Sequence, residues 1–171
     1  MSDPVAERAS RGVVVRDDRT DRTVEVSLEE CARLLDAVLA AEGLPQRAEA
    51  SLTLVDPEVI AELAADHLGA EGPTDVLSFP IDGRGPVGEP EPWLVGDVVL
   101  CPTVAASQAP EHAGDLAGEL ALLVVHGGLH LCGWDHATAE DEAAMWARER
   151  ALLTALGVEP SADPWRREVG A

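Results

Sequence analysis

The sequence contains no lysine. All twelve basic residues are arginine, they face 32 acidic residues, and the formal net charge is −20. That balance excludes binding of nucleic acid, RNA included, or of an anionic membrane surface, through overall charge, because both require a cationic face. No apolar run reaches the length of a bilayer span. The opening stretch MSDPVAERASRG has no apolar core of the kind a signal peptide needs. Cysteine is scarce: Cys31, Cys101 and Cys132 are odd in number, far apart and in no CxxC pair. A reduced, cytoplasmic protein is the expectation. Apolar residues make up 46% of the chain, too many for intrinsic disorder despite the charge.

The 171 residues suit one domain. Residues 1–11 read as a flexible tail, 12–157 as the folded domain and 158–171 as a second tail. Val13–Val15 and Val24–Val26 read as two short strands around a charged turn. Ser27 with Glu30 forms a capping-box pattern. Behind it Leu28, Cys31, Leu34, Leu35, Val38 and Leu39 recur at helical spacing, until Gly43 and Pro45 stop the helix. Residues 50–55 alternate as a strand, and Asp56-Pro57 opens a helix to about Leu68. A strand over 76–80 and a strand over 94–101 flank a Gly/Pro/acid loop at 82–92. A short helix is expected at 103–108, a long apolar helix at 114–132 and an amphipathic one from Thr138. Strands and helices alternate before two helices close the chain, which makes an α/β or α+β sandwich.

Three of the five histidines, His126, His130 and His136, fall within eleven residues. His126 and His130 stand four apart on one helix face, so two imidazoles can reach one ion. Gly133 ends the helix and lets His136 arrive as a third ligand. Three His and one water make the pattern of a catalytic zinc site, although imidazoles also accept Ni2+ or another divalent ion. The alternative is a chance pair of core histidines, but unpaired imidazoles among Leu and Val are costly.

The spacing H-x3-H-x2-G-x2-H also equals that of the metzincin proteases. Those enzymes place Glu, their general base, directly after the first His. Here that position is Gly127, so peptide hydrolysis lacks its proton acceptor. Met145 reads as helix core rather than a Met-turn, and Trp146 as core beside it. Cys132, between two ligands, reads as a core filler, because a fourth protein ligand would close the site.

Residues 126–136, HGGLHLCGWDH, closely resemble HGxLHLxG[YW]DH, the signature of the YbeY family of bacterial endoribonucleases. Residues 73–80, PTDVLSFP, and Gly96-Asp97-Val98-Val99-Leu100-Cys101 are similar to two further family blocks, in the right order. Glu119-Leu120 and Met145 fit as well. The resemblance covers roughly residues 50–155. It implies a central, mostly parallel sheet of about four strands packed with helices, and one metal, usually Zn2+, on His126, His130 and His136. It further implies a metal-dependent endoribonuclease specific for single-stranded RNA. Maturation of the 3′ end of 16S rRNA and ribosome quality control follow as its tasks, with ribosomal RNA, the small ribosomal subunit and its proteins as partners. A zinc peptidase or other metallohydrolase, and a weakly catalytic ribosome-associated factor, are the competing readings.

The chain departs from the family where many members carry an Arg before the PTDV block. Residues 65–71 here hold no Arg or Lys, only His67. Asp141 stands where Glu is usual, and Trp134 where Tyr is common. His67 is a candidate weak substitute for the missing Arg, and Asp75 and Ser78 are candidates for substrate contact. Their plainer readings are a strand-edge acid and a structural serine. Asp135 is a candidate to orient a ligand imidazole, or else a turn cap. His112 reads as a solvated surface residue. A bound metal could acidify water or act as a Lewis acid on a phosphoryl oxygen, and the sequence offers no obvious general base. With so acidic a chain, free RNA is expected to bind weakly and salt-sensitively.

Overall fold

The computed structural model describes residues 11–84 and 93–165. Its first strand, β1 (Gly12–Asp17), precedes helix α1 (Leu28–Ala41). Residues 24–26 form no strand. That segment lacks a pairing partner, and Val26 packs instead against the main core. Ser27 caps α1 by accepting from the Glu30 amide. The reciprocal arm of the expected capping box gives way to a bidentate pair between Glu30 and Arg33.

Next come β2 (Ala48–Leu54) and α2 (Pro57–Leu68). Asp56 precedes Pro57 as expected, but its carboxylate makes no helix cap. It accepts instead from the Thr20 amide and hydroxyl and the Asp21 amide, tying the loop after β1 to the start of α2. Strands β3 (Val76–Pro80) and β4 (Trp93–Leu100) follow, and most of the loop expected at 82–92 lies outside the described residues. Helix α3 (Pro102–Gln108), a single 3-10 turn, α4 (Leu116–Leu131) and α5 (Ala139–Ala155) complete the order. Thr138 caps α5 through its hydroxyl. Among the described residues no helix is long and apolar enough to cross a membrane.

The four strands form one sheet in the order β1-β2-β4-β3. β1 with β2 and β2 with β4 run parallel, and β3 runs antiparallel to β4. The fold is α+β, with a mixed, mostly parallel sheet. Register slips by one residue between Glu49 and Ala50, where Ala50 faces Gly96. A Cβ on Gly96 would lie 2.5 Å from the Phe79 carbonyl oxygen and 2.7 Å from Leu131 Cδ2, so only glycine fits this crossing.

Alternation along β4 divides the interior. Val98 joins the main core with α1, α4 and α5, while Val99 joins a smaller core with α2 through Ile60 and Ala64. α4 is buried nearly all round, which fits its unbroken apolar sequence.

Both expected tails need correction where the structure describes them. Arg11 is anchored: its guanidinium donates to the Leu44 carbonyl and its amide to Asp36. Residues 1–10 lie outside the described residues. Residues 158–165 are bonded to the body, with Ser161 N–H donating to Asp115, Ala162 N–H to the Ala113 carbonyl and the Trp165 indole to Glu149. Residues 166–171 lie outside the described residues.

Candidate metal centre

His126 and His130 lie in the last half of α4, one turn apart, and Gly133 (φ 93°) reverses the chain after it. His136 comes back from that turn. Ligand atoms of the three rings all lie within 4.8 Å of one another. His126 and His130 approach most closely, Nε2 to Nε2 at 3.0 Å.

Hydrogen bonding at the far side of two rings fixes their tautomers. His126 Nδ1 donates to Glu149 Oε1 at 2.5 Å, and His130 Nδ1 donates to the Trp134 carbonyl at 2.8 Å. Both partners can only accept, so each Nδ1 carries the proton and each Nε2 presents a lone pair. Two lone pairs 3.0 Å apart repel unless an electron-pair acceptor lies near both. A divalent ion satisfies that arrangement, and the donor set therefore fits one. Burial, and then the neighbouring His126, hold the His130 imidazole below its ordinary pKa, which favours the neutral form that a metal ligand requires.

Glu149 is the residue that sequence reasoning missed. It is 2% exposed on α5, and its second oxygen accepts from the Trp165 indole at 2.9 Å. Its signal was there: Met145, Glu149 and Leu152 share the buried stripe of α5, and an acid in such a stripe needs partners. Asp135 does not take the orienting role proposed for it. Its carboxylate accepts from the His136 backbone N–H at 2.8 Å and so shapes the turn.

Gly127 faces the sheet. A Cβ there would lie 2.8 Å from Val98 Cγ1, and one on Gly128 would lie 3.0 Å from Val38 Cγ1. Paired glycines let α4 wedge between α1 and the sheet. A glutamate at 127 has no room, so the metzincin arrangement is excluded by packing as well as by sequence. Ser78 donates to the Gly127 carbonyl at 3.0 Å, pinning β3 to α4. That bond engages the hydroxyl suggested for substrate contact. Cys132 is buried, and burial pushes its thiol up to about 12, so it stays a protonated core filler.

Asp75 lines a cleft of about 160 Å3 together with His112, His126 and Glu149. Its carboxylate is engaged by its neighbour Val76 N–H and by Gln108 Nε2 at 2.6 Å. His112 is no free surface residue: its Nδ1 donates to the fully buried Glu119 at 2.8 Å. His67 stands elsewhere, edge-on to Phe79 at 5.0 Å between centroids, and is not in the histidine cluster. On the other flank Glu42, 8% exposed at the end of α1, accepts from the Trp134 indole, Arg84 and Arg148. Arg84, Trp134 and Asp135 border one cavity of about 360 Å3.

Residues 15–157 match the family model described as endoribonuclease YbeY. The chain belongs to the YbeY endoribonuclease family. Curated YbeY relatives include the endoribonuclease of Moorella thermoacetica, 46% identical over 140 residues that span 78% of this chain and 89% of that protein. The Rhodococcus opacus endoribonuclease YbeY is 44% identical over 135 residues, 76% of this chain and 75% of its own length. A Thermotoga maritima protein solved in solution is similar in fold, with a TM-score of 0.52 and 23% identity, over 91% of this chain and 99% of that one. The YbeY match begins at residue 15, well before the three motif blocks, so the end of β1 and all of α1 lie within the family match too.

Proposed function

We propose that the chain is a zinc-dependent endoribonuclease that cleaves single-stranded RNA and acts in maturation of the 3′ end of 16S rRNA and in ribosome quality control. The observation that carries this reading is the pair of Nε2 lone pairs converging 3.0 Å apart, with His136 beside them, in a chain of the YbeY family. His126, His130 and His136 hold the ion, and Glu149 and the Trp134 carbonyl keep two of the rings in the ligating tautomer. Zinc held there would supply Lewis acidity toward a phosphoryl oxygen or acidify a bound water. Three imidazoles with an open fourth position are the donor set of three-histidine catalytic zinc sites. Half-exposed Arg84, at the border of the cavity beside Trp134, offers a cation to the RNA backbone. The small ribosomal subunit and its proteins are the partners, and they supply the affinity that a net charge of −20 withholds. Cytoplasm is the compartment, in keeping with three buried, free cysteines.

The test compares three samples: parent, His130→Ala and zinc-stripped protein, each on single-stranded RNA and on casein. Cleavage of RNA by the parent alone supports the reading. Cleavage of casein supports a peptidase, and zinc retained with neither activity supports a non-catalytic ribosomal factor.

A further inference from the structure

The structure provides a proton acceptor where the sequence showed none. His112 follows the 3-10 turn, and its Nδ1 donates to both oxygens of Glu119, at 2.9 and 2.8 Å. Glu119 is completely buried near the start of α4 and also accepts from Gln108 Nε2 at 2.8 Å and the Ala113 N–H at 3.1 Å. The same Gln108 amide nitrogen donates to Asp75, so the carboxylate is held from three directions and cannot swing away. A buried carboxylate on Nδ1 leaves Nε2 as the ring's lone pair, the arrangement that prepares a histidine to take a proton. The side chain is 40% exposed, so solvent and substrate can reach it. Both His112 and the ligand His126 line the same cleft of about 160 Å3, which Trp165 also lines. That is space for about five waters or for a phosphate group.

We propose that His112, held by Glu119, is the general base of the phosphodiester cleavage. The inference rests on the endoribonuclease reading. The attacking hydroxyl, from water or the adjacent ribose, gives its proton to Nε2 as its oxygen bonds to phosphorus. On the opposite side the P–O ester bond breaks, its electron pair goes to the leaving oxygen, and that oxygen takes a proton from solvent. Glu119 holds the imidazolium that results. Gln108 and Asp75 are positioning residues, acting on His112 through Glu119.

His112→Gln separates this role from a structural one, since its amide can still donate to Glu119 but cannot accept the proton. The expected result is normal folding and zinc content, with single-stranded RNA cleavage slowed at least about 100-fold. In His112→Ala, added imidazole restores part of the rate, whereas a purely structural role gives no such rescue. A His112→Gln protein that cleaves within about threefold of the parent overturns the proposal, as does failure of imidazole to restore any activity to folded, zinc-loaded His112→Ala. A zinc-loaded parent that cleaves no RNA overturns the endoribonuclease reading as well, and so the two failures are told apart.

Discussion

Glu149 and His126 are joined across two helices by a bond of 2.5 Å between Oε1 and Nδ1. The carboxylate is buried on α5, the ring is on α4, and Trp165 fixes the other oxygen. Removing the carboxylate frees the ring to rotate and to change tautomer. Glu149→Ala is expected to weaken zinc binding about 10–100-fold, and Glu149→Gln, which can still accept, by less. Competition with a chromophoric chelator measures both. Equal affinity in parent and Glu149→Ala would show that the bond does not serve the ion.

Zinc should stabilise the fold in proportion to its occupancy. At free zinc one hundred times Kd the gain is about 2.7 kcal/mol. It appears as a rise in thermal midpoint for the parent and disappears in His126→Ala, His130→Ala and His136→Ala. An equal rise in those variants would place the ion elsewhere.

Gly127 is a packing position. Gly127→Ala puts a methyl 2.8 Å from Val98 Cγ1, which costs about 1–3 kcal/mol by overpacking, offset by about 1 kcal/mol from better helix propensity. Gly127→Glu has a larger side chain and a buried charge to place, and should yield no folded protein. Urea denaturation ranks the variants. A stable Gly127→Glu would refute the close contact between α4 and β4.

Acid sensitivity should be traceable to Asp17. Its bond to the Arg19 guanidinium, made through both oxygens at 2.8 Å, lowers its pKa from 3.8 to about 2. A carboxyl lowered on folding contributes stability that is complete above about pH 4 and vanishes as pH falls through about 2. The advantage of the parent over Asp17→Asn should therefore shrink across that window, as followed by urea midpoints from pH 6 to pH 2. A constant difference would assign the effect to packing.

Local rules made much of the fold legible. Ser27 and Thr138 cap their helices, glycines at 69 and 133 end two others, and the 126/130/136 spacing does converge. Partners that arrive from distant segments were not legible. Glu149 lies 23 residues from His126, and Glu119 pairs back to a histidine that looked solvated. Each is an acid on a buried helical stripe, a pattern that demands a partner without saying which. Val24–Val26 failed for the opposite reason: local apolar content suggested a strand, but a strand needs a pairing neighbour, and this segment joins none of the four strands of the sheet, with Val26 packed against the core instead.

The chain order of the metal site has a consequence for its assembly during synthesis. The three ligands leave the ribosome within one short stretch, after the whole sheet and α1. Glu149, which orients His126, emerges later, and Trp165, which steadies Glu149, later still. A nascent chain can thus present all three imidazoles before it can hold His126 in the ligating tautomer. The contacts that hold His126 in this orientation are complete only when the last helix and the segment beyond it have docked, so the finished geometry of the histidine site is a late event in the birth of this protein.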